Sequence, residues 1–176
     1  ARMMAEDENS TSVYAIAWRP EIAPGTDQVG SVWAISAETG ETIWLREQRS
    51  ATMSLVATNM DEAIIGHIAF SPVTISDGTQ GWYAAGPISV MPTRQRAGIG
   101  SQIATEGLER MKAMGARGLV LLGDPGAYAR FGFAPDPDLI LPGFPPANLH
   151  VNKLGEGPRP KGTVTYAPAF GLRPKD

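Results

Sequence analysis

The chain contains no cysteine, which by itself removes disulfides, a cysteine nucleophile and thiolate metal sites from consideration. Its two histidines, His67 and His150, are far apart and lack metal-ligand spacing, so no metal site is assigned. No apolar run approaches the ~20 residues a helix needs to cross a bilayer, and Ala1 to Asp7 has none of the apolar character of a signal peptide. A membrane partner is therefore not expected, and the composition suits a reducing cytoplasm. An excess of positive charge is missing too. Fifteen Lys and Arg against eighteen Asp and Glu give a net charge of -3, so nucleic acid is not an expected partner.

What is present is globular in character: 43% hydrophobic and 19% charged residues over 176 positions, enough for one domain with its own core. Residues 1–176 are read as a single domain in three stretches. These are a β-rich N-terminal segment over 1–50, a regular core over 52–133 and a loop-rich flap with a closing strand over 134–176.

The core turns on one junction. Ile88-Ser89-Val90-Met91 is a short apolar run stopped by Pro92. The loop that follows carries Arg94 and Arg96, and Gly98 and Gly100 open an amphipathic segment with Ile103, Ala104, Leu108, Met111 and Met114 near helical spacing. Strand, loop and helix in that order leave unpaired N–H groups and the positive end of the helix dipole at the junction. Glycine there lets a phosphate approach the main chain, which a Cβ would obstruct. Neither a Walker loop nor a dinucleotide fingerprint fits: no Lys-Ser/Thr pair follows Gly100, and Ile103 stands where the third glycine belongs.

Gln95-Arg96-Ala97-Gly98-Ile99-Gly100 reads instead as Q-x-x-G-x-G. It resembles the acetyl-CoA pyrophosphate loop of the GNAT family of N-acetyltransferases. Tyr128-Ala129-Arg130-Phe131-Gly132-Phe133 is similar to the Y-x-[KR]-x-G-F end of that family. Gly66 to Val73, Leu122-Gly123-Asp124-Pro125 and Gly162 to Phe170 look like its YhbS-type branch, so the resemblance spans about residues 53–171.

The resemblance implies a mixed α/β fold: a mostly antiparallel sheet with a splayed parallel pair at the cofactor site, flanked by helices. It also implies an enzyme moving an acetyl group from acetyl-CoA to an amine of a small molecule or peptide, by direct transfer in a ternary complex, as a monomer or homodimer. Ile88, Ser89 and Val90 would pair with the pantetheine arm as an added strand. Gln95, Arg96, Ala97, Gly98, Ile99, Gly100 and Ser101 would hold the pyrophosphate. Tyr128 would be the catalytic acid at the sulfur, since a phenol with an ordinary pKa of ~10 is matched to a departing thiolate of ~8 to 9. No general base is assigned among Glu62, His67 and Asp124: His67 between apolar neighbours reads equally as a structural histidine and Asp124 as a helix cap before Pro125, and a water-relayed or substrate-supplied base stays open.

The rest of the chain fills in around these motifs. Val13 to Trp18 reads as a strand. Val32 to Ile35 and Thr42 to Leu45 flank Glu38-Thr39-Gly40-Glu41 as a hairpin turn. Met53 to Thr58, Ala63 to Ile75 and Trp82 to Val90 are strands, the last kinked at Gly86-Pro87. Leu119 to Leu122 is a buried strand parallel to the one before the helix, and Pro125 opens a short helix through Arg130. Prolines dominate 134–160, which predicts an irregular flap before the closing strand from Gly162.

The β-rich start departs from the resemblance, because the family usually begins with one strand and two helices that shape the acceptor site. Ala34 to Trp44 is similar to a single repeat of the quinoprotein β-propellers. One repeat cannot build a propeller, so a local hairpin is expected with Trp33 and Trp44 packed on the core. The missing helices leave a second functional class open, a non-catalytic acyl-CoA-binding or interaction module.

Overall fold

The computed structural model describes residues 12–16, 30–35, 42–48, 52–60, 63–124 and 126–167. The turn at Glu38 to Glu41, the side chains of Trp33 and Trp44, Glu62, Pro125 and everything from Pro168 lie outside what is described. The chain groups into two compact units, one formed by Ala1–Phe70 and Pro87–Gly107, the other by Ser71–Gly86 and Leu108–Asp176.

In the first unit, β1 (Ser12–Ile16) pairs antiparallel with β4 (Met53–Thr58), from Ser12 opposite Thr58 to Ile16 opposite Ser54. β2 (Gly30–Ile35) and β3 (Thr42–Gln48) form their own antiparallel two-stranded sheet. β4 in turn pairs antiparallel with the first part of β5 (Ile64–Ile75), setting Met53 opposite Phe70 and Val56 opposite His67. These are the strands that the apolar patterning predicts, with boundaries that agree to within three residues, the largest difference being the end of β3 at Gln48 in place of Leu45. The unit also holds the end of β6 (Trp82–Val90), a 3₁₀ turn over Pro92–Arg94 and the first nine residues of α1 (Ile99–Ala113).

Period-2 alternation on β5 sends Gly66, Ile68 and Phe70 to the face covered by α1. A Cβ on Gly66 would come within 2.6 Å of Ile103 Cδ1, and one on Gly107 would run into the Phe70 ring. Two glycines thus let helix and strand approach more closely than any other residue would permit. Ile99 and Ile103 fill the interface from the helix, and Leu55 and Phe70 from the strands.

In the second unit β7 (Gly118–Leu122) lies parallel to β6, with Trp82, Tyr83 and Ala84 opposite Gly118, Leu119 and Val120. The helical crossover requires that orientation. β6 continues through Gly86-Pro87 to Val90 as one strand, with Gly86 at φ 137°. The helix ends in a Schellman turn. Gly115, at φ 83°, donates to Lys112 O, and Ala116 donates to Met111 O. Met114 therefore lies past the last helical residue and is 57% exposed, so it does not complete the apolar stripe that its spacing suggests.

The expected short helix from Pro125 to Arg130 does not form. Gly126 adopts φ 88°, a left-handed value that interrupts helical progression, and only a 3₁₀ turn over Ala129–Phe131 follows. The irregular flap expected over 134–160 also hides regular structure. β8 (Ala134–Pro135) and β9 (Leu139–Ile140) are brief, but β10 (Leu149–Lys153) pairs antiparallel with all five residues of β7. β11 (Gly162–Tyr166) is antiparallel to the end of β5 and parallel to β9, a second parallel contact that nothing in the sequence announces. Trp82, Val120, Leu149, Val151 and Val164 form the core of this unit. Among the described residues α1 is the sole α-helix, and no helix is long and apolar enough to cross a membrane.

Candidate functional site

The junction after β6 has the expected strand, loop and helix, with a 3₁₀ turn inside the loop. Arg94 N–H donates to Met91 O at 2.8 Å and Gln95 N–H to Pro92 O at 3.4 Å, while Met91 N–H fastens the end of β6 to Ile65 O at 2.9 Å. The Gln95 side chain folds back, its Nε2 donating to Val90 O at 3.2 Å. That bond gives the glutamine of the motif a physical task, holding the loop against the strand it leaves.

Beyond Gln95 the main chain turns through two left-handed residues, Arg96 at φ 65° and Gly98 at φ 85°. Glycine adopts such a value without penalty. For Arg96 it costs on the order of 1 kcal/mol, which the surrounding turn must hold in place. The N–H groups of Arg96, Ala97, Gly98, Ile99 and Gly100 donate to no backbone acceptor among the described residues, and the loop from Pro92 to Gly98 is exposed. Ser101 differs from them. Its N–H already donates to Gly98 O at 2.9 Å, so any ligand contact falls to its hydroxyl. Ile99 is buried and anchors the helix start. A cluster of main-chain donors at a helix N-terminus, flanked by Arg94 and Arg96, is suited to a polyanionic group. Upstream, Ile88 is 37% exposed on β6, with Ser89 and Val90 half-buried.

In the second unit Tyr128 precedes the 3₁₀ turn with φ −109°, and its carbonyl accepts from Phe131 N–H at 3.0 Å. Its half-buried ring lies over Gly123, where any Cβ would overlap it. Phe133 is buried, and the Arg130 guanidinium lies over Phe131 at 4.8 Å from the ring centre.

Of the three groups considered as a base, His67 is buried in β5, and burial pulls its imidazole pKa down to about 4. Asp124 is exposed, and its main-chain carbonyl, not its carboxylate, takes the Ala127 N–H at 3.4 Å, so it caps no helix. Glu62 lies outside the described residues. Among the described residues no group of three or more His, Cys, Asp or Glu could hold a metal ion.

A sequence model of the Acetyltransferase (GNAT) family matches residues 11–133. The chain belongs to the GNAT acetyltransferase family. YhbS, an uncharacterized N-acetyltransferase of Escherichia coli K12, is 36% identical to it over 115 residues, 65% of this chain and 69% of its own. The crystal structure of E. coli YhbS in complex with CoA matches with a TM-score of 0.64 at 32% identity, covering 70% of this chain and 71% of that one. A GNAT family acetyltransferase from Brucella melitensis in complex with acetyl-CoA matches at 0.58, with 44% identity over 69% of this chain and 70% of its own.

Within this GNAT chain the sequence reading passed over the residues that surround Tyr128. His150 and Asn152 alternate on one face of β10. His150 packs against the Tyr128 ring, centres 6.2 Å apart and planes at 57°, and Asn152 Nδ2 donates to Phe131 O at 2.8 Å. The available signal was the Leu149-His150-Val151-Asn152 alternation, overshadowed by prolines on either side.

Proposed function

We propose that the protein is an acetyl-CoA-dependent N-acetyltransferase that acetylates an amine of a small molecule or peptide by direct transfer in a ternary complex, as a monomer or homodimer. The observation that carries this reading is the run of unengaged main-chain donors from Arg96 to Gly100 at the start of α1, in a chain of the GNAT family. Two relatives of known structure are complexes with CoA and acetyl-CoA, which supports the same donor here. In this reading Gln95 to Ser101 hold the pyrophosphate. Ile88, Ser89 and Val90 offer main-chain groups to the pantetheine arm. A cysteine-free chain fits a cytoplasmic location.

The amine nitrogen attacks the thioester carbonyl, and the C–S bond breaks as the tetrahedral intermediate collapses. The departing sulfur takes the Tyr128 phenol proton, and the proton shed by the amine restores it. A main-chain N–H near Val90 steadies the oxyanion.

Isothermal calorimetry with acetyl-CoA tests the reading. Binding is expected, and Gly98→Val with Gly100→Val should weaken it about 100-fold, the equivalent of ~2.7 kcal/mol and the size expected for losing one or two hydrogen bonds to a charged group. Absence of affinity for acetyl-CoA and for every other CoA ester would rule the reading out. Tight binding with no acetylation across amino acids, diamines and peptide N-termini would make the protein a non-catalytic acyl-CoA-binding module instead.

A further inference from the structure

His150 is 1% exposed, and neither ring nitrogen has a hydrogen-bond partner among the described residues. A phenylalanine would fill the same space without that cost, because a buried polar atom left unpaired is unfavourable. The side chain stands on the face of β10 opposite Leu149 and Val151, which pack into the apolar core of the second unit. On its own face it meets the Tyr128 ring.

Three features of one unit thus converge on Tyr128. Gly123, at the end of β7, makes room for the ring, and its N–H donates to Asn148 O at 2.9 Å, which fixes that strand end to the start of β10. Asn152 fixes the chain three residues past Tyr128 through Phe131 O. His150, opposite Leu121 in the strand register, supplies the edge against which the ring rests. No hydrogen bond joins the two rings in this packing, but at 6.2 Å between ring centres a modest change of side-chain torsion brings the phenol oxygen to an imidazole nitrogen.

We infer that His150 is the positioning residue for Tyr128: an imidazole N–H donates to the phenol oxygen and aims its O–H at the leaving sulfur. When that proton passes to the thiolate, the phenolate left behind keeps the His150 hydrogen bond, which is stronger to the anion than to the phenol. The proton lost by the amine then restores Tyr128, and His150 ends in the form in which it began. Asn152 and Gly123 hold the ring within range. This inference rests on Tyr128 being the acid, so its test separates the two.

The test is a double-mutant cycle of His150→Phe and Tyr128→Phe, with His150→Gln as the conservative variant. It uses acetyl-CoA and whichever primary amine of the panel above is turned over fastest. His150→Phe is expected to lower kcat about tenfold, with acetyl-CoA affinity unchanged and Tm equal or higher, and to have no further effect once Tyr128 is Phe. His150→Gln, which keeps an N–H donor, should recover most of the loss. An unchanged kcat in His150→Phe alongside a large fall in Tyr128→Phe overturns the role of His150 and leaves the acid in place. Independent, multiplying effects also overturn it, as does a Gln variant no better than Phe. If Tyr128→Phe itself leaves kcat unaltered, the acid reading fails and the role of His150 fails with it.

Discussion

A single hydroxyl carries the catalytic assignment of Tyr128, and Tyr128→Phe isolates it, because the ring still covers Gly123 and still meets His150. If the phenol protonates the leaving thiolate, kcat should fall on the order of 10² to 10⁴, the usual range for a positioned acid, while acetyl-CoA affinity and Tm change little. The decisive measurement is kcat under conditions in which chemistry limits the rate. An unaltered value would return Tyr128 to the role of a packed ring. A fall in stability with matching loss of bound acetyl-CoA would do the same, since a lost hydrogen bond costs ~1 kcal/mol without implying chemistry.

Elements were legible where local chemistry and tertiary packing demand the same thing. Met53 to Thr58 and Ile64 to Ile75 are apolar runs bounded by turn formers, and they form strands because both faces or one face can be buried. The helix start was legible for the same reason: Gly98 marks a left-handed residue and Ile99 begins the buried stripe. Leu149 to Lys153 was not, because prolines at 145, 146, 158 and 160 describe the loops around it, while its own strand character comes from pairing with β7, a partner about thirty residues earlier. For the candidate site, the strand, loop and helix start from Val90 to Gly100 could be read from residue types alone. The seat of Tyr128 could not, since His150 and Asn152 reach it only through that unseen strand pairing. Gly107 is a further case in which the local rule misleads. In an exposed helix, Gly→Ala gains up to ~1 kcal/mol, yet here the new methyl would enter the Phe70 ring and pass close to Leu55. Overpacking of this kind costs about 1–3 kcal/mol, so Gly107→Ala should lower Tm by a few degrees in a calorimetric scan. A raised Tm would mean that α1 stands farther from β5 than the packing of Gly107 requires.

For the molecule as a whole, stability against acid divides into two ranges with different origins. His67 titrates near 6.5 when unfolded and at about 4 when folded, because burial disfavours the imidazolium. Between those values the unfolded chain binds the extra proton, so stability rises with pH there: the contribution is fully present above 6.5 and is lost as pH falls toward 4. The full difference of about 2.5 pH units corresponds to roughly 3 kcal/mol. The second range lies lower. Asp77 accepts from the main-chain N–H groups of Lys161 and Thr79, at 2.7 and 2.8 Å, and these bonds hold its carboxyl below the ordinary value of 3.8. Its tie between the turn after β5 and the start of β11 should therefore persist while the His67 contribution is being lost. Urea midpoints measured at pH 7.5, 6.0 and 4.5 should show a progressive loss in the native protein. In His67→Phe, which has no proton to take up, the slope over that range should flatten. An equal slope in both proteins would assign the acid sensitivity to other groups and show that His67 is solvated more readily than its burial implies.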